Sequence, residues 1–176
     1  MTQPCYPAGL LVVLIAAAYA ERLPVRTYTT SDGLAHDVVY RIVPDRRGFL
    51  WMCTEQGLSR FDGYQFTNYT TAQGLPQSPV LDFLETRRGQ YWIATGAGLY
   101  RFDPGSPHKL TGYRPYDDAP ARSLRVLLED RTGAVWTGGR GGLFRLVENS
   151  GLWTMETVDL GPASGDHATV SVRALL

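Results

Sequence analysis

Apolar and polar positions recur along this chain in a fixed order. Val38-Val39-Tyr40-Arg41-Ile42-Val43 is a nearly continuous apolar run of strand length, with counterparts in Val80-Leu81-Asp82-Phe83-Leu84 and Leu124-Arg125-Val126-Leu127-Leu128. Short runs with weak alternation predict strands whose two faces are both largely covered. A polar turn follows each run: Asp45-Arg46-Arg47-Gly48, Thr86-Arg87-Arg88-Gly89 and Asp130-Arg131-Thr132-Gly133. Asp first and Gly last is the favoured type I pattern. In the first copy Phe49 to Thr54 reads as a second strand, Glu55-Gln56-Gly57 as a turn, and Leu58 to Phe61 as a third strand. Asp62-Gly63 has the composition of a two-residue type I′ hairpin, which makes Tyr64 to Thr70 a fourth strand with Tyr64 and Phe66 on one face. Pro44 cannot donate to a ladder, so the end of the first strand is expected at a sheet edge. Leu23 to Thr30 is β-prone and is expected as an outer strand ahead of the first full repeat.

The period is regular. Gly48, Trp51, Thr54, Gly57, Leu58, Arg60, Phe61 and Asp62 reappear 41 residues on as Gly89, Trp92, Thr95, Gly98, Leu99, Arg101, Phe102 and Asp103. Asp130, Gly133, Trp136, Gly142, Leu143 and Arg145 form a third copy, with Trp136 lying 44 residues after Trp92. Four antiparallel strands in each repeat of this length predict β-propeller blades. The fold class is therefore all-β, with about three complete blades of an incomplete propeller. The repeats are expected at about 32–70, 71–115 and 116–160, with the start of a further one at 170–176. The third copy departs from the others: Gly139 stands where Thr54 and Thr95 do, and its outer strand is expected over Leu152 to Val158. Val172 to Leu176 matches Leu124 to Leu128, 48 residues earlier, so the chain is expected to be a fragment forming an open arc.

The combination of Gly-Leu, a Val/Ile strand, Asp-x-x-Gly-x-x-Trp-x-x-Thr, Gly-Leu and Arg-Phe-Asp-Gly resembles the two-component regulator propeller repeat. The resemblance covers Asp32 to about Phe66, Gly74 to Asp103 and Ser123 to Arg145. It implies an extracytoplasmic, periplasmic ligand-sensing region. In such proteins one or two propellers precede a β-sandwich module, a transmembrane helix and a cytoplasmic output, commonly a histidine kinase or a diguanylate cyclase. The implied partners are a small-molecule or carbohydrate ligand, the remaining blades and a downstream membrane-attached output module, with a possible dimer in the full-length protein.

Composition narrows the classes. Lys+Arg and Asp+Glu both number 17, so there is no net charge to favour nucleic acid or an anionic membrane surface. Nineteen Gly and eleven Pro suit many short elements separated by turns. Residues 1–20 carry no charged side chain, and an apolar core from Leu10 to Ala18 is too short for a bilayer span, which takes roughly 20 residues. Ala18-Tyr19-Ala20 then offers small residues at the two positions read by a signal peptidase, so residues 1–20 are read as a secretory signal peptide. The partial propeller then occupies 21–176. Removal of Cys5 with that segment leaves Cys53 alone, which excludes an internal disulfide.

Candidate chemistry is sparse. Trp51, Trp92 and Trp136 occupy one repeated slot, as do Gly48, Gly89 and Gly133, and are expected to be structural repeat core, each indole filling the wedge between neighbouring blades. Arg60, Arg101 and Arg145 are expected to make structural contacts between blades. Gly138-Gly139-Arg140-Gly141-Gly142 reads as a tight turn, since no helix pattern follows to complete a phosphate loop. His36, His108 and His167 are widely separated, and no two stand at metal-ligand spacing. No Gly-x-Ser-x-Gly motif is present. No catalytic residue, metal or cofactor is therefore expected. In a propeller the turns after the second strand share one face with the interblade loops. That rim places Glu55, Gln56 and Arg140 near His36, Asp37, Gln77, Ser78 and Arg122, the candidate ligand-binding residues. A propeller enzyme of the lyase type and a protein-interaction scaffold are the alternative readings. Export has a direct check: protein recovered from the periplasm should begin at Glu21 on N-terminal sequencing, and a cytoplasmic product retaining Met1 would contradict it.

Overall fold

The computed structural model describes residues 24–76, 79–113, 123–140, 142–161 and 172–174. The expected signal peptide lies outside the described residues. Strands β1 (Val39–Pro44), β2 (Leu50–Thr54), β3 (Gly57–Phe61) and β4 (Phe66–Tyr69) form a first sheet. A second contains β5 (Val80–Glu85), β6 (Tyr91–Thr95), β7 (Gly98–Phe102) and β8 (Leu110–Tyr113). A third contains β9 (Leu124–Glu129), β10 (Val135–Gly139), β11 (Gly142–Asn149) and β12 (Leu152–Val158). Each sheet is antiparallel with its strands in chain order, and the first strands β1, β5 and β9 pack beside one another. These are propeller blades converging on their innermost strands.

Packing between the blades is aromatic. Trp51 of the first blade is 1% exposed and stacks on Phe83 of the second at 4.8 Å between ring centroids. Tyr91 and Phe102 from the same blade complete its surroundings. Trp92 is fully buried and meets Trp153 of the third blade edge-on at 5.0 Å. Such pairs add to the area they bury. Trp136 is only half-buried. In each blade the Trp pairs across the sheet with an Arg: Trp51 with Arg60, Trp92 with Arg101, Trp136 with Arg145. Arg60 lies 4.5 Å from the Phe49 ring and Arg145 lies 5.6 Å from that of Trp136. The Arg60 and Arg145 guanidiniums thus pack on rings of their own blades, instead of between blades as expected from the sequence.

The turn aspartates do more than turn the chain. Asp45 Oδ1 accepts from the backbone N–H of Arg47 and Phe49, while Oδ2 accepts from the Trp51 indole at 2.8 Å and from the Tyr91 hydroxyl of the next blade at 3.1 Å. Burial pushes the Asp45 carboxyl up, but these hydrogen bonds outweigh it and hold the carboxyl below its ordinary value. Asp130 repeats the arrangement with Trp136 at 2.8 Å. In the second blade the slot is Thr86, whose hydroxyl accepts from Gln90 N–H, and the buried Trp92 Nε1 has no hydrogen-bond partner among the described residues.

A second set of contacts joins consecutive turns. The N–H of Arg46 donates to Glu85 at 2.8 Å and its guanidinium to the Arg87 carbonyl at 2.6 Å. One blade further, the N–H of Arg87 donates to Glu129 at 2.7 Å and its guanidinium to the carbonyls of Asp130 and Arg131. Deeper in, Asp82 is completely buried and accepts from the Arg41 guanidinium of the first blade at 2.9 Å and from the Leu127 N–H of the third at 2.7 Å.

Three local expectations are corrected. Residues 24–29 form no strand. Thr29 instead caps a short 3-10 turn, Thr30–Asp32, in a reciprocal box with Asp32, and Tyr28 packs on the blade, 5.0 Å from Phe61. That local side-chain bonding competes with strand pairing. β1 is not covered on both faces: Ile42 is 57% exposed, because among the described residues no blade packs ahead of it, whereas its counterparts Phe83 in β5 and Leu127 in β9 are buried. Asp62-Gly63 is not a two-residue hairpin. The loop runs from 62 to 65, with Asp62 Oδ1 accepting from Tyr64 and Gln65 N–H, and it leaves Tyr64 outside the strand and 94% exposed. At the third blade's departure, a Cβ on Gly139 would lie 2.2 Å from the Ser123 carbonyl oxygen, so β9 approaches β10 too closely for the Thr found in the other blades.

The unpartnered indole yields a prediction. Thr86→Asp should restore the acceptor that Asp45 and Asp130 supply, raising stability in chemical denaturation by about 1 kcal/mol, the usual net worth of such a bond. A loss of stability would mean that burial of the new carboxylate outweighs the indole bond.

Candidate functional site

The turns after the second strands and the segments entering the first strands meet at one end of the blades. Glu55 N–H donates to the Val38 carbonyl at 3.2 Å, Gly96 N–H to that of Pro79 at 3.1 Å and Arg140 N–H to that of Ser123 at 3.4 Å. Two further bonds cross between blades: Ser123 N–H to the Gly96 carbonyl and Val172 N–H to the Gly139 carbonyl, both at 3.1 Å. The rim is thus tied together by backbone, opposite the end where the Arg46 and Arg87 latches sit.

The expected ligand residues divide into groups. His36 Nδ1 accepts from Val38 N–H at 3.0 Å, and Asp37 Oδ1 accepts from Thr30 N–H at 2.7 Å, so both serve their own loop. Glu55 accepts from the Tyr40 hydroxyl, a bond that with burial raises the Tyr40 phenol above its ordinary value. Gln56 is exposed at the tip of its turn. Arg140 is exposed and borders a cavity. Gln77, Ser78 and Arg122 lie outside the described residues.

That cavity, of about 460 Å³, is lined by Tyr40, Leu81, Arg125, Arg140 and Arg173. Four of these five were plain strand in the sequence reading. Tyr40, Leu81, Arg125 and Arg173 occupy one repeat slot, at spacings of 41, 44 and 48 residues. The register explains why they face outward. Val39 pairs with Thr54 and Arg41 with Cys53, which leaves Tyr40 as the extra residue of a bulge. Leu81 and Arg125 are the extra residues at the corresponding shifts in β5 and β9. A bulge re-aims a side chain out of the alternation. The weak alternation of these runs was the signal available in the sequence, and it pointed to full coverage instead.

Behind the wall lies Asp82, whose carboxyl burial raises to about 6 against the lowering effect of Arg41 and the Leu127 and Phe83 N–H groups. Cys53 is buried beside it, and burial pushes its thiol well above the ordinary range, so it is inert as a nucleophile. Among the described residues, no group of three or more His, Cys, Asp or Glu side chains is placed to hold a metal. A smaller cavity of about 250 Å³ lies at the opposite, turn-bearing end beside Arg47, Gln90, Arg101 and Asp103.

Comparison with known proteins places this geometry. The chain aligns with the extracellular domain of the putative hybrid two component system BT3049 from B. thetaiotaomicron, at 23% identity and a TM-score of 0.60, covering 69% of this chain and 17% of that one. It also aligns with virginiamycin B lyase from Staphylococcus aureus, solved as a catalytically inactive variant with quinupristin, at 16% identity and a TM-score of 0.54, over 69% of this chain and 42% of the lyase. A selenomethionine form of that lyase gives a TM-score of 0.52. At these identities the likeness is one of fold, and this chain spans less than half of either relative. No curated protein sequence matches it. The two component regulator propeller model matches residues 33–56 and 74–97, which run from the Gly-Leu plug through the Trp strand of the first and second blades. Those two stretches thus resemble the two component regulator propeller, and the chain folds as antiparallel four-stranded propeller blades.

Proposed function

We propose that this chain is part of the ligand-sensing propeller region of an extracytoplasmic signal-transduction protein. The ligand binds at the rim and the inner wall of the blades, and the output module lies elsewhere in a longer, membrane-anchored protein. The observation that carries this reading is the match of both leading blades to the two component regulator propeller model. The description of BT3049 as the extracellular domain of a hybrid two component system agrees with it. So does the sequence of residues 1–20, read as a signal peptide. The arrangement suits the role, because each blade contributes one re-aimed side chain to a shared cavity. A ligand touching several blades at once favours one relative arrangement of them, which is the differential contact that a switch requires. The lyase alternative draws only on shared fold.

The reading is tested with the complete extracytoplasmic region and a panel of neutral and acidic oligosaccharides. Calorimetric titration should give saturable binding of at least one, and mass spectrometry after prolonged incubation should recover that ligand unchanged. A ligand returned with altered mass would establish an enzyme instead. A region that binds no small molecule but retains a protein partner would favour the scaffold.

A further inference from the structure

We infer that the inner wall of the blades is an oxyanion site, in which Arg125, Arg140 and Arg173 hold the carboxylate or sulfate of a small organic ligand. The inference deepens the ligand-sensing reading by naming the class of ligand, and rests on that reading for its role in signalling.

Three arginines line one cavity of about 460 Å³. The chain as a whole has 17 basic and 17 acidic residues, so this local excess is not a reflection of a basic protein. The ion pairs among the described residues are Arg41–Asp82, Arg87–Glu129 and Arg88–Glu148, and none includes Arg125, Arg140 or Arg173. Glu55 touches this wall through the Tyr40 hydroxyl, whose hydrogen bond it accepts. Three guanidiniums line one cavity with no ion pair to a carboxylate among the described residues; they repel one another, and an anion between them relieves that repulsion. The planar guanidinium fork matches carboxylate and sulfate geometry better than it matches a hydroxyl.

The placement is built by the backbone. Arg125 is the extra residue of the β9 bulge, in the slot that Tyr40 and Leu81 fill in the two preceding blades. Arg173 follows Val172, whose N–H is bonded to the Gly139 carbonyl. A Cβ on Gly138 would sit 2.5 Å from the Val172 side chain, so the bare Gly138 admits Val172 and fixes where Arg173 emerges. Arg140 stands on the neighbouring turn, its own N–H tied to the Ser123 carbonyl. Tyr40, itself 47% exposed, and Leu81 add a ring face and an apolar patch. The volume falls within the range of small-molecule sites, about 300–1,000 Å³. The ligand chemistry is therefore an acid group beside a ring or apolar face.

The complete extracytoplasmic region is titrated calorimetrically with digalacturonate, with the neutral disaccharide lactose and with inorganic sulfate. Digalacturonate should bind at least about tenfold tighter than lactose and lose affinity as salt rises, as screening requires. Arg125→Ala and Arg173→Ala should each weaken it by about tenfold or more, the loss expected of a charge-assisted pair. Both side chains are exposed, so the melting temperature should not change. Arg88→Ala, at the opposite end of the blades, should leave affinity intact. Lactose binding as tightly as digalacturonate, or a folded Arg125→Ala/Arg173→Ala double variant with full affinity, would overturn the anion site while leaving ligand sensing in place. Sulfate matching digalacturonate would overturn the organic ligand, and no binding of either anion would overturn the inference entirely.

Discussion

Asp82 is a completely buried carboxylate at the point where three blades converge, and the relative placement of the blades depends on how it is satisfied. Its acceptors take the Arg41 guanidinium from one side, the Leu127 N–H from the other and the Phe83 N–H from its own strand. β9 is the edge strand of its sheet, and Leu127 N–H therefore points away from β10 with no ladder partner. Asp82 supplies the acceptor that this edge lacks. Burial raises its carboxyl to about 6, above the roughly 3.9 of an unfolded aspartate. A raised value means that the folded chain holds the proton more tightly. The stabilisation from this shift is complete below about pH 4 and is lost as pH rises through about 6. At neutral pH the ionised group is thus kept against a desolvation cost, and its contribution lies in specifying how the first strands meet more than in net stability.

The aromatic wedge works around that point. Trp51 and Trp92 each leave their own sheet to pack on the next blade, and Asp45 couples the wedge to the turn by receiving both its own Trp51 and the neighbour's Tyr91. The Arg46 and Arg87 latches repeat the coupling at the turn end, each reaching one blade forward. Ile42 stands in the slot where Phe83 receives Trp51, and it is exposed where Phe83 is buried. Burial at this slot is thus a property of the preceding blade, not of the strand itself.

The blades were legible because their determinants repeat. Trp, Gly-Leu and the polar turn return every 41 to 44 residues, and even the third outer strand, Leu152–Val158, falls where its apolar pattern places it. What the repeat could not show was whatever differs between copies. The slot of Asp82 holds Arg41 in the first blade and Val126 in the third, so no pattern marks it. The Asp-to-Trp hydrogen bond was hidden behind an adequate turn explanation, although Asp precedes Trp by six residues in both the first and third copies. The latches use backbone carbonyls, which any residue supplies. The wall of the cavity depends on bulges, and a bulge shifts side chains by one position without altering composition. For the candidate rim, the position of the loops followed from topology, but the bonds that engage His36 and Asp37 within their own loop depend on local geometry.

A shared inner wall carries a signal only if neighbouring blades are held in a defined relation, and Asp82 is the group that touches three of them. Amide hydrogen exchange at Leu127 tests this most directly, compared under identical conditions between the wild-type protein and Asp82→Leu, which keeps the branched shape and removes the acceptor. The account predicts strong protection of the Leu127 amide in the wild type and a selective fall in protection in the variant, with the Trp51 and Trp92 strands still protected. Unchanged protection at Leu127 would contradict it, and would show that the blades are positioned by their aromatic wedges alone.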